Sequence, residues 1–127
     1  MENYKVTIAE SSAELTARER IMYKDTTNAH KMDEVVGTDS PLTITPVAYV
    51  VLNIHNEKSD NKDYPNYLVV DKDGNKYVTG STSFWNAFKE IWDEMEKEGL
   101  IGTFDVQIYK RDSKNYKGKC FLTCSII

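Results

Sequence analysis

The sequence predicts a mainly β chain with one helix, folded as a five-stranded OB-fold-like barrel behind an N-terminal extension. Three observations carry that expectation. Residues 83–99 alone have a long, unambiguous helical period. Strand-like runs lie on both sides of that segment, three before it and two after. The first of them, Leu42 to His55, is long and interrupted by Pro46, as a bent strand serving both halves of a small barrel would be. The order strand, strand, strand, helix, strand, strand is that of an OB barrel, whose helix plugs one end. A half-open sheet crossed by one helix and an α+β roll share this order and stay open as alternatives.

In the helix, Phe84, Phe88, Ile91 and Met95 fall on one face, widened by Trp85, Ala87 and Trp92. Lys89, Glu90, Asp93, Glu94, Glu96 and Lys97 occupy the other side. Ser81, Thr82 and Ser83 offer N-cap oxygens, and Gly99 suits the residue just past the helix end. A stripe this wide and aromatic is built for burial, so both tryptophans are read as core.

Residues 1–41 form the extension and residues 42–127 the OB-fold-like domain, with Gly37-Thr38-Asp39-Ser40-Pro41 as the loop between them. In the extension, Tyr4 to Ile8 reads as a short strand. Ser12 to Lys24 fits a helix started by Ser11 or Ser12, or an irregular strand, and neither template wins. Within Leu42–His55, Val50, Leu52 and Ile54 share one face, and Tyr49, Val51 and Asn53 the other. A polar loop, Asn56 to Pro65, leads to the strand Asn66–Val70, a turn at Asp71–Lys76, and an antiparallel return through Lys76–Thr79. Asp71-Lys72-Asp73-Gly74-Asn75 looks like the start of a calcium loop. Its glycine comes too early and the closing glutamate is missing, so it is read as a tight hairpin. After the helix, Phe104, Val106 and Ile108 alternate inward while Asp105, Gln107 and Tyr109 face out. A basic loop, Arg111 to Gly118, then joins the last strand, Lys119 to Ile127.

The 127 residues suit one domain with one core, and 40% hydrophobic with 28% charged residues is ordinary for a soluble globular protein. Charge is unevenly placed. Residues 83–98 carry five acids against two lysines, a net of −3, leaving −1 for the rest of a chain whose net charge is −4. Residues 110–119 hold four lysines and one arginine against one acid. No charged-then-apolar leader and no apolar run of about 18 residues is present, so a cytoplasmic protein without membrane contact is expected. Cys120 and Cys124 lie four positions apart on one strand, about 13 Å at the usual rise, and are expected as reduced, buried thiols.

Enzymatic constellations are nearly absent. His30 and His55 have no partner pattern, and no nucleophile elbow, phosphate-binding glycine loop or metal-ligand cluster is visible. No catalytic residue, metal or cofactor is therefore expected. What remains is a set of aromatics beside basic residues. If Leu68, Val70 and Val78 face the core, parity turns Tyr67, Val69, Tyr77 and Thr79 outward. OB folds hold single strands on that surface, where aromatic rings stack on bases and cations follow phosphates. Tyr67, Tyr77, Tyr109 and Tyr116 are the expected stacking residues; Lys110, Arg111, Lys114, Lys117 and Lys119 are the expected phosphate contacts.

A family resemblance points the same way. Asp73-Gly74-x-x-Tyr77 and Thr79-Gly80-Ser81 lead into the amphipathic helix. Thr103-Phe104-Asp105-Val106, Ser113…Lys117-Gly118-Lys119 and Phe121-Leu122-Thr123-Cys124-Ser125 follow it. Over residues 42–127 this pattern resembles the small single-stranded DNA-binding proteins of tailed bacteriophages, of the protein-primed replication type. The resemblance implies an OB fold, no cofactor, and a host-cytoplasmic protein that covers displaced strands during replication. It also implies self-association along DNA and contact with replication proteins. Tyr77 is the stacking position that the family pattern supports, whereas Tyr67 and Tyr109 come from parity. The rival reading is an OB-type protein–protein module, a replication or anti-defence adaptor whose tyrosines grip a partner. A small enzyme with an unrecognised carboxylate site is a more distant third.

Overall fold

A computed structural model describes residues 4–37, 39–58, 62–112 and 120–127. The elements run β1 (Tyr4–Ser11), α1 (Ala17–Lys24), β2 (His30–Lys31), α2 (Met32–Val35), β3 (Leu42–Ile44), β4 (Pro46–Asn56), β5 (Asp63–Asp71), β6 (Lys76–Thr79), α3 (Thr82–Lys97), β7 (Val106–Asp112) and β8 (Cys120–Ile126). They form a five-stranded sheet in the order β1-β4-β5-β6-β2 and a three-stranded sheet in the order β3-β7-β8. The chain is mainly β with one long helix, in two sheets.

The long run from Leu42 does serve both sheets. Its first part, β3, pairs with β7, and its second, β4, lies between β1 and β5. Thr45 sits at the break, where its hydroxyl donates to the Asp105 carboxylate and its carbonyl accepts the Lys72 N–H at 2.9 Å. Pro46 opens β4, and the register with β5 shifts between Pro46 and Ala48. A residue without an N–H is tolerated where the ladder is already interrupted.

The sheets do not close into a barrel, contrary to expectation. In the expected barrel the outer edge of β6 would meet the last strand. That edge is instead taken in parallel by β2, with His30 opposite Tyr77 and Lys31 opposite Val78. The extension supplies both edge strands of the larger sheet, since β1 pairs along β4 from Tyr4↔Asn56 to Ser11↔Val50. Its helix starts later than Ser11 or Ser12. Thr16 is the N-cap, accepting the Glu19 N–H while the Glu19 carboxylate accepts the Thr16 N–H, a reciprocal capping box. At the other end of α1, the Lys76 ammonium donates to the carbonyls of Met22 and Asp25, where C-terminal helix carbonyls lack partners.

The larger sheet is covered on both faces. Val50, Leu52, Ile54, Leu68 and Val78 form one buried cluster, against which Leu15, Tyr23 and Ala29 of the extension pack. On the opposite face Tyr49, Val69 and Tyr77 join Phe84, Phe88 and Trp92 of α3 and Ile44, Val106, Ile108, Leu122 and Cys124 of the smaller sheet. The helix ends match the sequence. Ser81 accepts the Phe84 N–H, and Gly99 (φ 68°) turns the chain so that its N–H reaches the Glu96 carbonyl and that of Leu100 reaches Met95. The Asp71–Lys76 turn is the expected hairpin. Asp71 accepts the N–H groups of Asp73 and Asn75, with Gly74 at φ 87°. Of the two thiols only Cys124 is buried, and burial pushes it up to about 12; Cys120, at the strand's first position, is exposed.

Candidate nucleic-acid interface

Two of the expected stacking residues lie in the core. Tyr67 and Tyr77 are 7% and 8% exposed. Tyr67 stacks on Trp85, and the Tyr77 hydroxyl donates to the Asp71 carboxylate at 3.3 Å. Burial first, and the Asp71 carboxylate next, raises the pKa of the Tyr77 hydroxyl. Strand parity placed Tyr67, Val69, Tyr77 and Thr79 on one face correctly, but that face is the one α3 covers. The Leu68–Val78 face, expected to be the sole core side, is buried by the extension instead. Neither tyrosine offers a ring to a base in this arrangement.

The smaller sheet is different, because no element of the described residues packs on one of its faces. Val106 and Ile108 of β7 and Leu122 and Cys124 of β8 point into the core. Parity therefore sends Gln107, Tyr109 and Arg111, with Phe121, Thr123 and Ser125, to the other side. The register sets Gln107 opposite Ser125, Tyr109 opposite Thr123, and Arg111 opposite Phe121. Tyr109 and Phe121 are thus diagonal neighbours on this face, with Arg111 across from the phenylalanine. Phe121 is 36% exposed, and Arg111 is exposed. Tyr109 is half-buried, its hydroxyl 2.8 Å from that of Ser125, so the ring leans along β8. Thr43 of β3, opposite Gln107, extends the same face.

Lys110 has the opposite parity and is partly committed, donating to the Asp33 carbonyl at 3.0 Å. Neither Lys110 nor Arg111 forms a salt bridge with a described carboxylate. The acidic side of α3 belongs to the helix that packs on the core-facing side of β8, away from Phe121. Lys114, Tyr116, Lys117 and Lys119 lie outside the described residues; they belong to the connection between the ends of β7 and β8.

Phe121, which is not among the expected stacking residues, is the exposed aromatic of this face. The alternation Phe121-Leu122-Thr123-Cys124-Ser125 carries the signal, because an inward Leu122 and Cys124 force Phe121 outward. It is hidden by the strand's overall apolar character. Elsewhere, His55 is held between Asp63 (2.8 Å) and Glu57 (2.7 Å) on the β4–β5 hairpin. Among the described residues no group of three or more His, Cys, Asp or Glu is placed to hold a metal ion. No helix of the described residues is long and apolar enough to cross a membrane. No protein-family model, curated protein or solved structure matches the chain.

Proposed function

We propose that this protein binds single-stranded DNA without regard to sequence, as a binding protein rather than an enzyme. The strand lies over the open face of the β3-β7-β8 sheet. Phe121 and Tyr109 stack on bases, while Arg111 and Lys114, Lys117 and Lys119 follow the phosphates. One observation carries this reading: an exposed phenylalanine, a tyrosine and an arginine with no described carboxylate partner share one sheet face, and residues 110–119, the most basic stretch of the sequence, begin in β7. The finer fold belongs to the same proposal. The bent run that pairs with β7 through β3 and with β5 through β4 follows the strand path of an OB barrel, opened between β6 and β8.

Anisotropy of a labelled oligothymidylate titrated with the protein tests it. Phe121→Ala should weaken binding by about ten- to hundredfold, the worth of one stacking platform, with little change in stability. Affinity should fall steeply as salt rises through release of counterions. Undetectable binding at low salt, or a salt-independent affinity that ignores Phe121→Ala, would sink the reading.

A further inference from the structure

The edge of β8 turned away from β7 carries unpaired backbone groups. The Ile127 N–H donates to the Asp105 carbonyl at 3.1 Å, and the register runs from Val106↔Ile126 to Asp112↔Cys120. Antiparallel pairing alternates, so residues 121, 123, 125 and 127 exchange hydrogen bonds with β7. The N–H and C=O groups of Leu122, Cys124 and Ile126 therefore point to the free edge. The Leu122 carbonyl shows this directly, accepting the Ser83 hydroxyl at 2.7 Å. Among the described residues nothing pairs with the edge at Cys124 and Ile126.

Alongside that edge runs a groove of about 580 Å³ between α3 and β8. Ala87, Ile91 and Met95 line it from the helix, and Cys124 and Ile126 from the strand. Glu90 and Glu94, both exposed, stand on its helix side.

We propose that this groove and edge dock an extended, basic peptide segment of another protein, which adds to the β3-β7-β8 sheet as a fourth strand. The free N–H and C=O groups of Cys124 and Ile126 call for an extended backbone, which a helix or a lipid chain does not present. The groove takes apolar side chains from alternate positions of that strand, because period-two spacing sends them to one face. Glu90 and Glu94 select lysine or arginine at further positions on that same face. A second copy of this chain fits poorly. Antiparallel β8-to-β8 pairing about a two-fold axis perpendicular to the sheet would bring two acidic helices, each with five acids against two lysines over residues 83–98, onto the same side.

The probe is a short fluorescent strand-forming peptide in which isoleucine and lysine alternate at every second position, on one face, with threonine between them, titrated into the full chain without DNA. Saturable binding is expected. It should weaken by about tenfold or more when the peptide backbone is N-methylated at alternate residues, which removes its ladder donors. The Glu90→Lys, Glu94→Lys double variant, changed only at exposed positions, should instead prefer a glutamate–isoleucine peptide. Absence of saturable binding, equal binding of the N-methylated peptide, or an unchanged charge preference in the double variant would each overturn the proposal. So would a concentration-dependent dimer of the free protein that Ile126→Lys abolishes, since the edge would then serve a second copy.

Discussion

The Tyr67 ring lies flat against Trp85, with ring centroids 4.7 Å apart and planes 7° from parallel. Tyr49 meets the same indole edge-on at 5.1 Å, so β4, β5 and α3 converge on Trp85. This contact fixes how the helix sits on the larger sheet. Tyr67→Ala should cost about 3 kcal/mol of stability through the lost ring and the cavity left behind. Tyr67→Phe should be nearly silent, because no described group bonds the hydroxyl. Guanidinium unfolding midpoints decide it; a Tyr67→Ala protein of unchanged stability would place the ring on a wet face.

Tyr77 separates folding from binding. Its ring packs in the core and its hydroxyl reaches Asp71, the carboxylate that also organises the β5–β6 turn. Tyr77→Ala should destabilise by about 3 kcal/mol, and Tyr77→Phe by about 1 kcal/mol through the lost hydrogen bond. Where the variants remain folded, they should bind oligothymidylate as the parent does. A stable Tyr77→Ala protein that had lost DNA affinity would return Tyr77 to the binding surface.

Arg111 should supply charge without base discrimination. Arg111→Ala is expected to lower affinity about equally for all base compositions and to reduce the slope of log affinity against log salt by about 0.7. A salt titration of parent and variant measures both. An identical slope would move the phosphate path off the end of β7.

The β4–β5 hairpin should respond to pH. Hydrogen bonds to Asp63 first and Glu57 second hold the His55 imidazolium above its ordinary value of 6.5. His55 first and Lys62 second hold Glu57 below its ordinary 4.5. The His55 contribution is complete below pH 6.5 and lost as pH rises through the raised folded value. The Glu57 contribution is present above pH 4.5 and lost as pH falls through the lowered one. The cluster therefore stabilises most between pH 4.5 and 6.5. His55→Gln should flatten the decline of Tm between about pH 6 and about pH 8, which parallel melts of parent and variant would reveal.

Local chemistry settled much of this protein in the sequence alone. The helix and both its caps, the Asp71–Gly74 turn, the break at Pro46 and the face-sharing of Val50, Leu52 and Ile54 each depend on neighbours a few positions apart. The capping box Thr16-x-x-Glu19 is equally local, but Ser11 and Ser12 just upstream offer the same cap chemistry. What tertiary structure alone decided is which face is wet. Parity puts Tyr67 with Tyr77 and Leu68 with Val78, but it carries no information about what lies above either pair. The extension, with little helical or strand period of its own, covers the second face and occupies the edge of β6, so the sheet is buried on both sides and stays open. Burial depends on contacts between residues far apart in the chain, such as Tyr23 with the Leu68 cluster and Tyr67 with Trp85. For that reason the exposed aromatic of the candidate site is Phe121 on the smaller sheet, not the tyrosines of the larger one.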